Sequence, residues 1–237
     1  MITKSEKQYK EPQSSTHKLN WLRASVLGAD DGIVSIAGLV MGVAGATSSS
    51  TAILTAGMAG IVAGAISMAA GEYVSVSSSR DTEKALLKKE HYELKNFPQE
   101  ELEELTKIYQ SKGISRKTAE MAAKEVSKND AFAAHAHMEL NIDPDNLTSP
   151  WHAALASAAA FLLGSSIPLL AIIIPHPSIR IPVAFISVLL ALAVTGVLSA
   201  KAGGAGVIRA TIRVVSGGAL AMVVTYGIGK IFAVSGI

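Results

Sequence analysis

Three acidic side chains stand where acids are costly. Asp30 and Asp31 interrupt an otherwise uncharged run, Ser25–Ala46, and Glu72 interrupts a second at 52–76. A carboxylate at bilayer depth costs about 3 kcal/mol on insertion scales and usually marks an ion or proton path. Asp30 and Asp31 point about 100° apart on a helix, so one of them is expected to face the bundle interior. Met68 and Glu72 are one helical turn apart and share a face, and Ser75 and Ser79 extend that stripe. A carboxylate with a thioether suits a borderline divalent ion such as Fe²⁺, whereas oxygen donors alone suit Ca²⁺ or Mg²⁺. The plainer alternative makes Met68 a gap-filler and lets Glu72 reach back to the interface. The plainer alternative is weaker for Asp31, whose depth is hard to explain otherwise.

A second constellation lies between these runs and the next apolar stretch. Glu90 and Glu93 are one turn apart, as are Glu101 and Glu104, and His135 and Glu139 are spaced i, i+4. Each pair can present two metal ligands on one helix face, giving a site for several divalent ions. The alternative is a solvated acidic face neutralised by Lys88, Lys89, Lys107 and Lys124. His91 adjoins Glu90 and is either a further donor or simply exposed, His137 turns away from His135, and His17, His152 and His176 have no evident partners.

The elements that hold these residues follow from composition. Of 237 residues, 49% are apolar and 17% charged, and mean hydropathy is +0.37. That excludes a disordered chain and argues against a soluble enzyme, which would carry roughly 25% charged residues. The absence of Cys excludes disulfides, zinc ribbons and thiol chemistry. A net charge of +2 singles out no nucleic-acid partner. Residues 146–237 contain no acid, and 14 of the 19 acids lie between Asp81 and Asp145. The pattern is apolar, charged, apolar.

Spanning a bilayer takes about 20 apolar residues. Five runs qualify: Ser25–Ala46, 52–76, 151–174, 181–200 and 214–229. The fold expected is an all-α membrane protein of five transmembrane helices, with a three-helix cytoplasmic insert between helices two and three. Its parts are a leader at 1–23, spans one and two within 24–79, the insert at 80–146, and spans three to five within 150–237. Lys and Arg crowd the leader (Lys4, Lys7, Lys10, Lys18, Arg23), the insert, and the last link (Lys201, Arg209, Arg213). These sit in the cytoplasm and the C-terminus outside. The first run is too long, and too acidic, for a cleavable signal.

Within the insert, the second span is expected to continue out of the membrane without a break to about Leu94. Residues 96–99 break the helix, with Pro98 in the next first turn. Gly113 ends that helix, and Ser115 caps another running to about Leu140, stopped by Asp143, Pro144 and Asp145. Leu86, Leu87, Leu94, Leu102, Leu105, Ile108, Tyr109, Met121, Val126 and Phe132 form the expected core. So small a core calls for a second subunit. The GxxxG pairs Gly28/Gly32, Gly38/Gly42 and Gly60/Gly64 suggest that the two acid-bearing spans touch.

These motifs carry a family resemblance. Arg23-Ala-Ser-Val-Leu-Gly-Ala-Asp-Asp-Gly32 resembles the first helix of the vacuolar iron transporter family. Ser67-Met-Ala-Ala-Gly-Glu-Tyr-Val-Ser-Val76, then Ser79-Arg-Asp81, resembles its second. The 100–113 stretch and the His135–Leu140 stretch resemble its cytoplasmic metal-binding insert. The resemblance implies a homodimer that moves Fe²⁺, and often Mn²⁺, out of the cytosol in exchange for protons. It implies that Asp31 is the transport carboxylate, that Met68 and Glu72 are ligands beside it, and that Glu90, Glu93, Glu101, Glu104 and Glu139 are insert ligands. Asp30 departs from the Asn often found there. His135 and Ala136 stand where iron-selective members carry Met and Glu. Co²⁺ and Zn²⁺ are further candidate ions for such donors.

Two functions remain on the sequence: a metal-for-proton secondary transporter, and a non-transporting membrane protein whose acidic insert senses metal or docks a partner. A sensing or docking anchor has no need of Asp31, Met68 and Glu72 at membrane depth. No nucleotide loop, Ser/His/Asp order or HExxH supports an enzyme, and no organic cofactor is expected. The short chain and simple leader favour a bacterial inner membrane over a vacuolar one.

Overall fold

The computed structural model describes residues 13–235, with side chains from 25 to 233. Most of the basic leader, including Lys4, Lys7 and Lys10, lies outside the described residues. Among the described residues all regular structure is helical: α1 Gln13–Ala46, α2 Ser50–Asn96, α3 Pro98–Ser111, α4 Arg116–Met138, α5 Pro150–Ile173, α6 Arg180–Ala202 and α7 Val207–Ser235. Five of these (α1, α2, α5, α6 and α7) are long and apolar enough to cross a membrane, and each holds one expected span. The chain is an integral membrane protein.

At 47 residues, α2 is about 70 Å long, more than twice the ~30 Å hydrocarbon core. Its uncharged part ends at Glu72, and from Arg80 onward it is strongly charged. The part apolar enough to span is therefore the first half, and Glu90 belongs to the charged second half.

Two compact units are present: residues 1–73 with 150–237, and residues 74–149. In the first, α1 is the central helix and packs against α5, α6 and α7. Its Ile33, Ile36, Ala37, Val40 and Met41 are buried with Phe161 and Ile172 of α5, Leu192 of α6 and Met222 of α7. Small residues set which helices come close. A methyl group at Gly32 would strike the Phe161 carbonyl oxygen, and one at Gly42 would lie 3.3 Å from that of Thr225. The α1 glycine pairs thus admit the backbones of α5 and α7, not α2. The α1–α2 contact is instead made by side chains: Val40 against Gly57, and Ile36 and Leu39 against Gly60. Spacing shows that a helix can be approached closely but not by which neighbour.

In the second unit, Phe97 breaks α2 from α3, and Pro98 occupies the first turn, where its missing N–H costs nothing. Gly113 (φ +87°) terminates α3 in a conformation that side chains disfavour. Ser115 is at the N-cap of α4, but its hydroxyl pairs with the Thr118 hydroxyl at 3.0 Å instead of a backbone N–H. Helix α4 ends at Met138, before the Asp143-Pro144-Asp145 stop, and it is broken at Asp130 (φ −157°, ψ 95°). Leu105, Ala123 and Ala134 form one buried cluster with Leu102, Tyr109 and Val126; Leu87, Ala136 and Ile142 form another with Phe132. Leu86 and Met121, expected in the core, are exposed. The inward residues are Leu87 and Glu90 on α2 and Ala119 and Ala123 on α4, which leaves Leu86 and Met121 on other faces of their helices.

Candidate metal centre

Glu90 shares an α2 face with Leu87, and Glu101 shares an α3 face with Leu105, so the contacts that bury the leucines also draw both carboxylates inward. Glu101 lies in the first turn of α3, where the helix dipole favours an anion. The part of α4 beyond Asp130 supplies His135, and Glu139 caps its end. One donor atom from each of Glu90, Glu101, His135 and Glu139 lies within 4.8 Å of all the others. His135 Nδ1 is 3.0 Å from Glu90 Oε1, 3.3 Å from Glu139 Oε2 and 3.5 Å from Glu101 Oε2. His135 and Glu90 are 1% and 2% exposed.

So many carboxylates in one buried place are unfavourable without a cation or protons. Burial, and then the charges of Glu139 and Glu101, push the Glu90 carboxyl up to about 7. Glu101 is raised too, first by burial and then by Glu104, with His135 opposing. The hydrogen bonding is incomplete. Nδ1 of His135 has bonding geometry toward Glu139, whereas Glu90 Oε1 and His135 Nε2 are buried without a hydrogen-bond partner. Four donors arranged tetrahedrally at ~2.1 Å from a divalent ion stand about 3.4 Å apart. The three His135–carboxylate distances lie close to that value, and one nitrogen with three oxygens is a donor set that suits a divalent ion.

Glu93 and Glu104 are not part of this cluster. Glu93 pairs with Lys89 at 2.9 Å. Glu104 is exposed beside a groove lined by Gln99, Glu100, Glu103, Lys107 and Ile108. Each expected glutamate pair is therefore split, with one member turned in and one out. Elsewhere on the acidic face, Arg116 bridges Glu103 and Glu120, both at 2.9 Å.

At membrane depth the two neighbouring acids diverge. Asp30 turns into the chain's own bundle beside Thr195, and its Oδ1 is buried without a hydrogen-bond partner. Asp31 is exposed on the open face of α1 and accepts a bond from the Ser35 hydroxyl at 3.0 Å. Met68 packs against the main core, and Glu72 is half-buried. Among the described residues, the one close cluster of three or more acid and histidine donors includes neither Asp31 nor Glu72. Thr195 and the Asp130 break were not anticipated. No spacing pattern links Thr195 to Asp30, and Asp130 carries only the generic preference of Asp for helix starts.

The Glu90 shift predicts a pH dependence. The folded chain holds this proton up to about pH 7, while an unfolded one releases it near 4.5. Stability from this group therefore falls as pH rises between those values and levels off above them. The apparent Tm of the metal-free purified chain should fall from pH 5 to pH 7.5, and saturating divalent metal should remove most of that fall. A flat metal-free profile would show that Glu90 is not held protonated.

The sequence model of the VIT family matches residues 22–230. A vacuolar iron transporter of Acanthamoeba castellanii is 42% identical over 218 residues, covering 92% of this chain and 80% of that protein. Vacuolar iron transporter homolog 2.1 of Arabidopsis thaliana is 36% identical, covering 93% and 85%. Vacuolar iron transporter homolog 1 of Oryza sativa subsp. japonica is 38% identical, covering 93% and 77%. With a family match over most of its length and relatives this similar across nearly all of it, the chain belongs to the VIT family.

Proposed function

We propose that this chain is a secondary transporter that moves Fe²⁺, and with it Mn²⁺ and other divalent metals, out of the cytosol in exchange for protons. The observation that carries the reading is the buried Glu90–Glu101–His135–Glu139 cluster on an integral membrane chain. Supporting it are acids at membrane depth and relatives named vacuolar iron transporters. The cluster collects metal on the cytosolic side, which the Lys/Arg distribution assigns to the insert.

Asp31 is the transport carboxylate. Metal and proton compete for the same carboxylate oxygens, so loading one expels the other. Such competition suffices for antiport when the site opens alternately to the two faces. Met68 supplies a thioether and Glu72 a second carboxylate along the path, and Asp30 holds a further exchangeable charge within the bundle. A second copy of the chain covers the open face of α1 and completes the path as a homodimer. The test is uptake into proteoliposomes with a metal-sensitive dye inside, run in parallel with Fe²⁺, Mn²⁺, Co²⁺ and Zn²⁺. Metal entry above that of empty vesicles supports the transporter. No entry of any ion, with metal still bound by the protein, would favour a sensor.

A further inference from the structure

The face that α4 presents changes at Asp130. Before the break, Ala119 and Ala123 are fully buried. On an unbroken helix, residues eighteen apart return to the same side after five turns. His137 stands in that relation to Ala119, and His135 would then lie about 160° away from it. An unbroken α4 would turn His137 inward and His135 out. The structure has the reverse: His135 and Ala136 are 1% and 0% exposed, and His137 is exposed.

Asp130 is where the register changes. Its backbone is extended (φ −157°, ψ 95°), the conformation of an N-cap residue. Its Oδ1 accepts the backbone N–H of Ala133 at 2.9 Å, the bond that such a cap makes to the third helical residue. Beyond it, two hydrophobic clusters hold the final segment. Phe132 and Ala136 pack with Leu87 and Ile142, and Ala134 and Met138 pack with Leu105 and Ala123.

We propose that Asp130 is a positioning residue for the metal centre: by capping a new helix start inside α4, it fixes the register that delivers His135, not His137, to Glu90, Glu101 and Glu139. The role of that register in metal binding rests on the metal reading of the cluster; the register itself does not.

The test uses the full chain in detergent with chelator present, and maps carbethoxylation of His135 and His137 by peptide mass spectrometry. In the wild type His137 reacts and His135 is protected. Asp130→Asn keeps a capping oxygen and is expected to match it. Asp130→Ala removes the cap, and His135 is expected to lose its protection. Adding Ala131→Pro to Asp130→Ala should restore protection, because proline at the first helical position forces an extended residue before it. Metal titration should follow the same order, with about a fivefold weaker affinity for Asp130→Ala and recovery in the double variant. The proposal is overturned if Asp130→Ala leaves His135 protected and His137 reactive, or if the proline fails to restore protection. Wild-type protein that takes up no metal would overturn the site reading, and Asp130's role in it, while the footprint alone still decides the register.

Discussion

Asp31→Asn protein reconstituted in vesicles should take up no measurable Fe²⁺, and metal-driven proton movement should vanish with it. The substitution keeps side-chain size and its hydrogen bond with Ser35, and removes the carboxylate at which we propose that metal and proton compete. Asp31 is on the open face of α1, outside the chain's packed core, so the fold and the insert should survive. Size-exclusion behaviour and metal binding by the insert should therefore match the wild type. The expected loss is total because, in the proposed mechanism, Asp31 carries the exchange and Glu72 and Asp30 only assist it. Wild-type exchange by this variant would place the coupling elsewhere, with Asp30 as the next group to examine.

Glu90→Gln should have the second largest effect. Glu90 is the most buried carboxylate of the cluster, at 2% exposed, and the nearest to His135 Nδ1. Losing a ligand of that kind should weaken metal binding by roughly 10–100-fold, the range seen even for outer-shell changes around metal sites. Transport should fall several-fold without vanishing, because in the proposed function the cluster collects metal and Asp31 carries the exchange. The same variant should flatten the metal-free pH–stability profile, since the group whose proton is lost near pH 7 is gone. Calorimetry and thermal unfolding on one preparation read both effects. Unchanged affinity would remove Glu90 from the ligand set.

The membrane helices were legible in the sequence because the bilayer leaves little choice. Every backbone polar group must be satisfied within the segment, so each span shows as a long apolar run. Helix ends marked by Pro98 and Gly113 were legible for similar local reasons. The partners of those helices were not. The Gly28/Gly32 pair reads as a close-packing face, and the choice of α5 over α2 is made by shape across the whole bundle. In the insert, Glu90 and Glu93 are equivalent by spacing, and so are Glu101 and Glu104. Only the burial of Leu87 and Leu105 decides which of each pair turns in. His135 was legible from its i, i+4 spacing to Glu139, and the break at Asp130 was not, because it falls within a stretch whose alanines and lysines otherwise favour a continuous helix.

Opposed movement of metal and protons is read out in wild-type proteoliposomes carrying both a metal-sensitive and a pH-sensitive dye. Fe²⁺ is added under reducing conditions, with and without an imposed pH gradient. Metal entry should drive proton exit, an acid interior should speed metal entry, and both signals should vanish together in Asp31→Asn. Metal entry at one rate whatever the gradient, with no accompanying pH change inside, would rule out the proposed proton exchange.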